Sequence, residues 1–238
     1  MSISRREAIR ISGSALAGLS LGTLPGEGLV AQVPQPQPAL ADELVQQELT
    51  PRAVLPLNPD GSAPEYSPLD AGPISEPLMW RYTNRVTPPG EYDYTRMQIK
   101  LDPRGMARLG GTLTFADLDP LPRRSGVYLL QCGVPNPRGI VKWTGVRFSD
   151  FAEMIGLQPH THYARFVASD RYYVDEEVPT LMHPQVLLAW MMNDEPIPPQ
   201  HGAPLRLIVP FRYGARSIKA ITEIYFGSPG LPQQPLPV

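Results

Sequence analysis

Cysteine is almost absent from this 238-residue chain, which carries a single one, Cys132. An intramolecular disulfide is therefore excluded, as is a zinc site built on two or four cysteines, and no Cys-x-x-Cys-His motif is present to attach a c-type haem. Charge of either sign is also in short supply. Lys and Arg number 21 against 23 Asp and Glu, a formal net charge of -2 with a sequence pI near 6.1. That balance attracts neither nucleic acid nor an anionic membrane surface, so any basic site has to be local. No internal repeat is present, and no series of parallel strands with Gly-rich phosphate loops is legible. Histidines number four; two of them, His160 and His162, flank Thr161 with no evident third metal ligand. The one weakly apolar run, near the N-terminus, is too short to span a membrane if it stands alone.

Proline, by contrast, is abundant: 30 residues, well above the usual share of about 5%. The N-terminus reads Ser4-Arg5-Arg6-Glu7-Ala8-Ile9-Arg10, then a Gly- and Ser-rich apolar stretch, with Ala39-Leu40-Ala41 as a small-residue cleavage site and Val30-Ala31 as a competitor. This pattern resembles a twin-arginine signal, which exports proteins already folded. Residues 1–41 are assigned to the signal and the start of a linker. Nine prolines fall between Gln32 and Ser75, where few large apolar residues could offset the entropy of ordering. Residues 42–75 are accordingly expected to form an extended linker with one short helix near Asp42 to Leu49. The folded domain is expected over residues 76–227, and residues 228–238 form a second Pro-rich tail.

Within the domain, Met97, Ile99 and Leu101 alternate with polar residues, the mark of a strand with one wet face. Val127 to Cys132 is more continuously apolar and reads as a central strand. Ser149 is placed to cap a helix over Asp150 to Ile155 that Gly156 ends. Tyr163 to Ser169 reads as a strand. His183-Pro184 is expected to open a helix running to about Asn193, followed by a loop over Glu195 to Pro204. Another strand is expected over Leu205 to Val209, and a short helix or strand over Ser217 to Phe226. The irregular mixture predicts an α+β domain with a mixed sheet.

Two features carry chemistry. Cys132 leaves a strand into the Gly- and Pro-rich loop Gly133-Val134-Pro135-Asn136-Pro137-Arg138-Gly139, where its sulfur can meet something docked on the sheet edge. A buried, inert thiol explains the same position. The stretch His201 to Lys219 sets Arg206, Arg212, Arg216 and Lys219 around Tyr213-Gly214-Ala215, with Ser217 alongside. Such a turn can cradle a phosphate, or it is a solvated basic face with structural ion pairs. The acidic run Asp175-Glu176-Glu177 reads as a solvated loop, and Trp143 and Trp190 as core.

Taken in order, Leu130-Gln131-Cys132-Gly133, Trp143-Thr144-Gly145-Val146, Leu187 through Pro198, and His201 through Lys219 resemble the molybdopterin-binding domain of the sulfite oxidase superfamily, over roughly Trp80 to Phe226. The resemblance implies an exported molybdenum-dependent oxidoreductase. It would transfer an oxygen atom on a small, sulfur-containing substrate, hold molybdenum through Cys132, and exchange electrons with an external haem protein or cytochrome. Contact with a membrane would come only through an uncleaved signal or a partner subunit. By the same resemblance His201, Arg206, Tyr213, Gly214, Arg216, Ser217 and Lys219 hold the pterin and its phosphate, and Asn84 lines the same site. Thr83 stands where sulfite oxidases carry an arginine, with Arg85 on the far side of Asn84. Asn136 and Arg138 come later than in the family's Cys-Ala-Gly-Asn-Arg. Arg85 and Arg138 are the arginine candidates for catalysis beside Cys132. A protein that keeps this fold without catalysis, and a metal-free thiol activity at Cys132, are the alternatives.

Overall fold

The computed structural model describes residues 53–75, 80–83 and 85–230. The twin-arginine stretch, the short helix expected near Asp42, Asn84 and residues 231–238 lie outside these. Ten strands form two sheets among the described residues. The first contains β1 (Gln98–Asp102), β2 (Gly111–Thr114), β5 (Tyr163–Ala168), β6 (Tyr173–Glu177) and β10 (Ile221–Gly227), in the order β2-β1-β10-β5-β6. Only β1 and β10 in it run parallel. The second is antiparallel, in the order β3 (Arg123–Gln131), β4 (Arg138–Arg147), β7 (Leu187–Met192), β8 (Glu195–Pro196), with β9 (Arg206–Ile208) also paired to β7. Helices are short: α1 (Phe115–Leu118), α2 (Phe148–Ile155) and α3 (Val178–Leu181). The domain is α+β with mixed pairing, as its patterning implies.

Residues 187–192 correct the helix expected from His183-Pro184. They form β7, hydrogen-bonded to β4 on one edge and to β8 and β9 on the other. Leu188 and Trp190 join the main core between the sheets, while Leu187, Ala189 and Met192 join a second cluster on the opposite face. With both faces covered, the period-two alternation of a strand is invisible in the sequence. A smaller correction concerns α2. It starts at Phe148 rather than Asp150, and Ser149 lies inside its first turn instead of capping it. Phe148, Phe151, Ala152 and Ile155 point inward at helical spacing. Gly156 ends the helix at φ +64°, as a left-handed C-terminal residue should.

The second cluster also explains the Pro-rich segment. Residues 53–75 are largely extended, as their prolines dictate, interrupted by a turn at residues 58–62 and a 3-10 turn at Pro68–Asp70, yet they are held against the domain as a strap. Ala63 and Ile74 of this strap pack into the cluster with Tyr128, Val141, Trp143 and Ile208. Backbone amides tie it down: Tyr66 N to Val127 O at 2.9 Å, Gly72 N to Ile140 O at 2.9 Å, Ser75 N to Arg138 O at 2.8 Å. Gln185 brackets Ala63 through both its amide atoms, and Asn193 Nδ2 donates to Gly72 O. Each large apolar side chain the strap covers adds on the order of 1.5–3 kcal/mol, which offsets the entropy of ordering that the sequence reading weighed alone.

Candidate functional site

Cys132 follows the last residue of β3, and its amide donates to Pro137 O at 3.2 Å, closing the loop that leaves the strand. Gln131 locks that loop from within. Its buried Nε2 donates to the carbonyls of Cys132 and Val134, each at 2.9 Å. The half-buried thiol opens into a cavity of about 480 Å³, a size suited to a small molecule or cofactor.

Arg206, from β9, reaches the same cavity with its side chain only 2% exposed. Its Nη1 donates to His201 O at 2.7 Å and its Nε to Ser217 O at 3.2 Å, and the guanidinium lies 5.0 Å from the centre of the Trp143 ring. No carboxylate pairs with it among the described residues. Burial holds its pKa down at about 10, against which the neighbouring Cys132 works in the opposite direction. Burial also pushes the Cys132 thiol up, while the cations of Arg206 and Lys219 favour its ionised form. A desolvated cation beside a soft sulfur is a site short of negative charge.

Lys219 Nζ donates to Gln200 O at 2.8 Å and lies 4.9 Å from the Trp80 ring centre. Gly202, at φ +108°, lets the backbones approach: a Cβ there would come within 2.8 Å of Lys219 Cα. Ser217 is buried, and its Oγ accepts from Val209 N at 3.0 Å, bracing the turn formed by Gly214–Arg216. His201, Gly214, Ser217 and Lys219 line the cavity with Cys132 and Arg206.

The remaining expected residues are placed elsewhere. Tyr213 donates its hydroxyl to Ala53 O at 2.8 Å, pinning the strap to the basic turn. Arg216 pairs with Glu176, Nε to Oε1 at 2.5 Å, and donates to Asp175 O. The acidic run is thus part of β6 instead of a solvated loop. Glu176 is only 5% exposed, and Asp175 pairs with the buried Arg165 at 2.6 Å. Arg138 and Arg85 are exposed, and neither lines the cavity. Arg138 joins the site indirectly, through backbone hydrogen bonds with Ser75. His160 and His162 gather no third ligand; among the described residues no three His, Cys, Asp or Glu come together.

Several cavity residues escape sequence reasoning. Ile74, Trp80 and Arg81 arrive from the strap and the segment after it, and Asp170 and Tyr172 from the turn between β5 and β6. Trp80 is buried, and its indole Nε1 finds no hydrogen-bond partner among the described residues. A buried guanidinium with no carboxylate partner among the described residues and a thiol around one cavity fit an anionic ligand with a metal centre that takes a soft donor.

The chain matches the family described as the oxidoreductase molybdopterin binding domain over residues 88–230. It is 34% identical over 152 residues to a protein-methionine-sulfoxide reductase catalytic subunit from Xanthomonas campestris, covering 54% of this chain and 46% of that protein. To the same subunit of Campylobacter jejuni it is 30% identical over 151 residues, covering 56% of this chain and 50% of that protein. The mitochondrial sulfite oxidase of Drosophila melanogaster is 31% identical over 140 residues, 48% of this chain and 24% of that protein. The chain thus spans about half the length of the sulfoxide reductase subunits it matches. The fold resembles the sulfane dehydrogenase SoxCD from Paracoccus pantotrophus, with a TM-score of 0.55 at 16% identity over 86% of this chain and 56% of that one. This chain therefore belongs to the oxidoreductase molybdopterin-binding domain family of the sulfite oxidase superfamily, whose cofactor is a molybdopterin carrying molybdenum.

Proposed function

We propose that the protein is exported by the twin-arginine route and transfers an oxygen atom to or from a small sulfur compound, with Cys132 as the protein's ligand to molybdenum. The observation that carries this reading is the pair Cys132 and Arg206, a thiol and a buried, carboxylate-free cation opening into one cavity. When bound, the molybdopterin supplies a metal that changes oxidation state as an oxygen atom moves. The chain's own residues bind and orient. Arg206 and Lys219 favour the thiolate that a metal requires, offsetting the burial that favours the thiol. By the family resemblance, Ser217, His201, Gly214 and Asn84 would hold the pterin and its phosphate. Tyr213 and Arg216 act one step away by anchoring the turn, and Arg138 does so through the strap.

In the reductive direction a sulfoxide takes up two electrons and two protons and leaves as a sulfide and water. By the family resemblance, electrons would come from or pass to an external haem protein or cytochrome. The sulfoxide reductase subunits among its relatives support a sulfur substrate. The test is turnover by molybdenum-loaded protein, with a reduced viologen dye as electron donor and a methyl sulfoxide as acceptor, or an oxidised dye and a sulfide in reverse. Activity that Cys132→Ser abolishes is expected. Loaded protein inert in both directions toward sulfur compounds contradicts the reading.

A further inference from the structure

The rim of the cavity holds a cation that the thiol site does not use. Arg81 lines the cavity and is exposed, and no ion pair engages it among the described residues. The cations that bear on Cys132 are Arg206 and Lys219, whereas Arg81 bears on Tyr172. Its guanidinium carbon lies 5.8 Å from the Tyr172 ring centre, and the Tyr82 ring stands 6.3 Å from that of Tyr172.

The backbone under this group is fixed. Asp170, 5% exposed, accepts from the amides of Arg81 at 2.9 Å, Tyr82 at 3.3 Å and Tyr172 at 3.1 Å. Its carboxylate is committed to the backbone, so the guanidinium above it keeps its charge for something else. Tyr172 is tied at its other end, its hydroxyl donating to Ala215 O at 3.3 Å on the basic turn. A planar cation beside a braced aromatic ring, lining the same cavity as the thiol, is suited to a carboxylate attached to an apolar chain.

We propose that Arg81 and Tyr172 form an outer subsite that binds the carboxylate of an anionic organic sulfur substrate, with its sulfur centre directed inward toward Cys132. The subsite deepens the oxygen-transfer reading and rests on it for the identity of the inner end. Arg81 precedes the family-matched residues 88–230, whereas Asp170 and Tyr172 lie within them.

Calorimetric titration of the cofactor-loaded protein with methylsulfonylacetate and with its methyl ester tests this by binding alone, so a failure of turnover leaves the result readable. The wild type is expected to bind the acid about ten-fold tighter than the ester, about 1.4 kcal/mol, with the preference shrinking as salt is added. In Arg81→Gln, which keeps the backbone bonds to Asp170, the two probes should bind equally with molybdenum content unchanged. Arg81→Lys should recover part of the preference. Acid binding no better than ester binding in the wild type overturns the proposal, as does a preference that survives Arg81→Gln. Loss of molybdenum from Arg81→Gln also overturns it, by placing this residue in the cofactor's own grip.

Discussion

Gly139→Ala is a sharp test of the strap that closes one wall of the cavity. Gly139 lies in β4 directly beneath Pro73 and Ile74, and a Cβ there would stand 2.7 Å from Pro73 O and 2.9 Å from Ile74 Cα. Both are backbone atoms, so no side-chain rotation relieves the contact. The strap has to lift by several tenths of an ångström, against the bonds at Gly72 N, Ser75 N and Gly72 O and the burial of Ile74. Overpacking of this kind costs about 1–3 kcal/mol. For a domain of this size that corresponds to a fall in melting temperature of roughly 3 to 9 °C. The assay is thermal unfolding of cofactor-free protein followed by circular dichroism, with limited proteolysis of residues 53–75 as a second readout. Lower stability and faster cleavage in the strap are expected. An unchanged melting temperature together with unchanged cleavage would refute the claim that the Pro-rich segment is an integral wall of the domain.

Arg206→Met should leave stability of the cofactor-free protein nearly unchanged while depleting molybdenum. Holding the guanidinium's pKa at about 10 instead of 12.5 corresponds to roughly 3 kcal/mol of unfavourable burial. Relief of that burden is offset by the carbonyls of His201 and Ser217, which lose their donor at about 1–3 kcal/mol each. The same variant, free of cofactor, should react more slowly with a thiol reagent at mildly alkaline pH. The cation that favours the Cys132 thiolate is then gone, while burial still raises the thiol's pKa; a faster reaction would contradict the pairing of these two groups. Replacing Arg5 and Arg6 with lysine should retain the protein in the cytoplasm, measured by cell fractionation, and unchanged export would remove the twin-arginine reading.

Much of the site could be read from the sequence because it lies in two short contiguous stretches. Cys132, His201, Arg206, Gly214, Ser217 and Lys219, each singled out by local chemistry or by family resemblance, all reach one cavity. The basic turn was harder to apportion, since clustering counts charges without revealing their partners. Arg216 is committed to Glu176, and an acidic run in a strand reads like one in a loop until its neighbours across the sheet are known. Arg81, Trp80, Asp170 and Tyr172 are not legible in the sequence, because contacts between segments far apart in the chain define them. Asp170 sits in the turn joining β5 to β6, where Arg171 adopts φ +68°. A Ser-Asp-Arg run directly after the mostly apolar strand β5 is the one local hint. For β7, patterning failed for a physical reason: a strand buried on both faces shows no alternation, and Pro184 imitated the start of a helix.

The most direct test of the central claim is the molybdenum content of the protein purified after expression with its cofactor supply, compared with Cys132→Ser prepared in parallel. One molybdenum per chain with pterin fluorescence in the wild type, and loss of the metal from a folded Cys132→Ser, is the predicted result. Full molybdenum occupancy in Cys132→Ser, or none in the wild type, would contradict it.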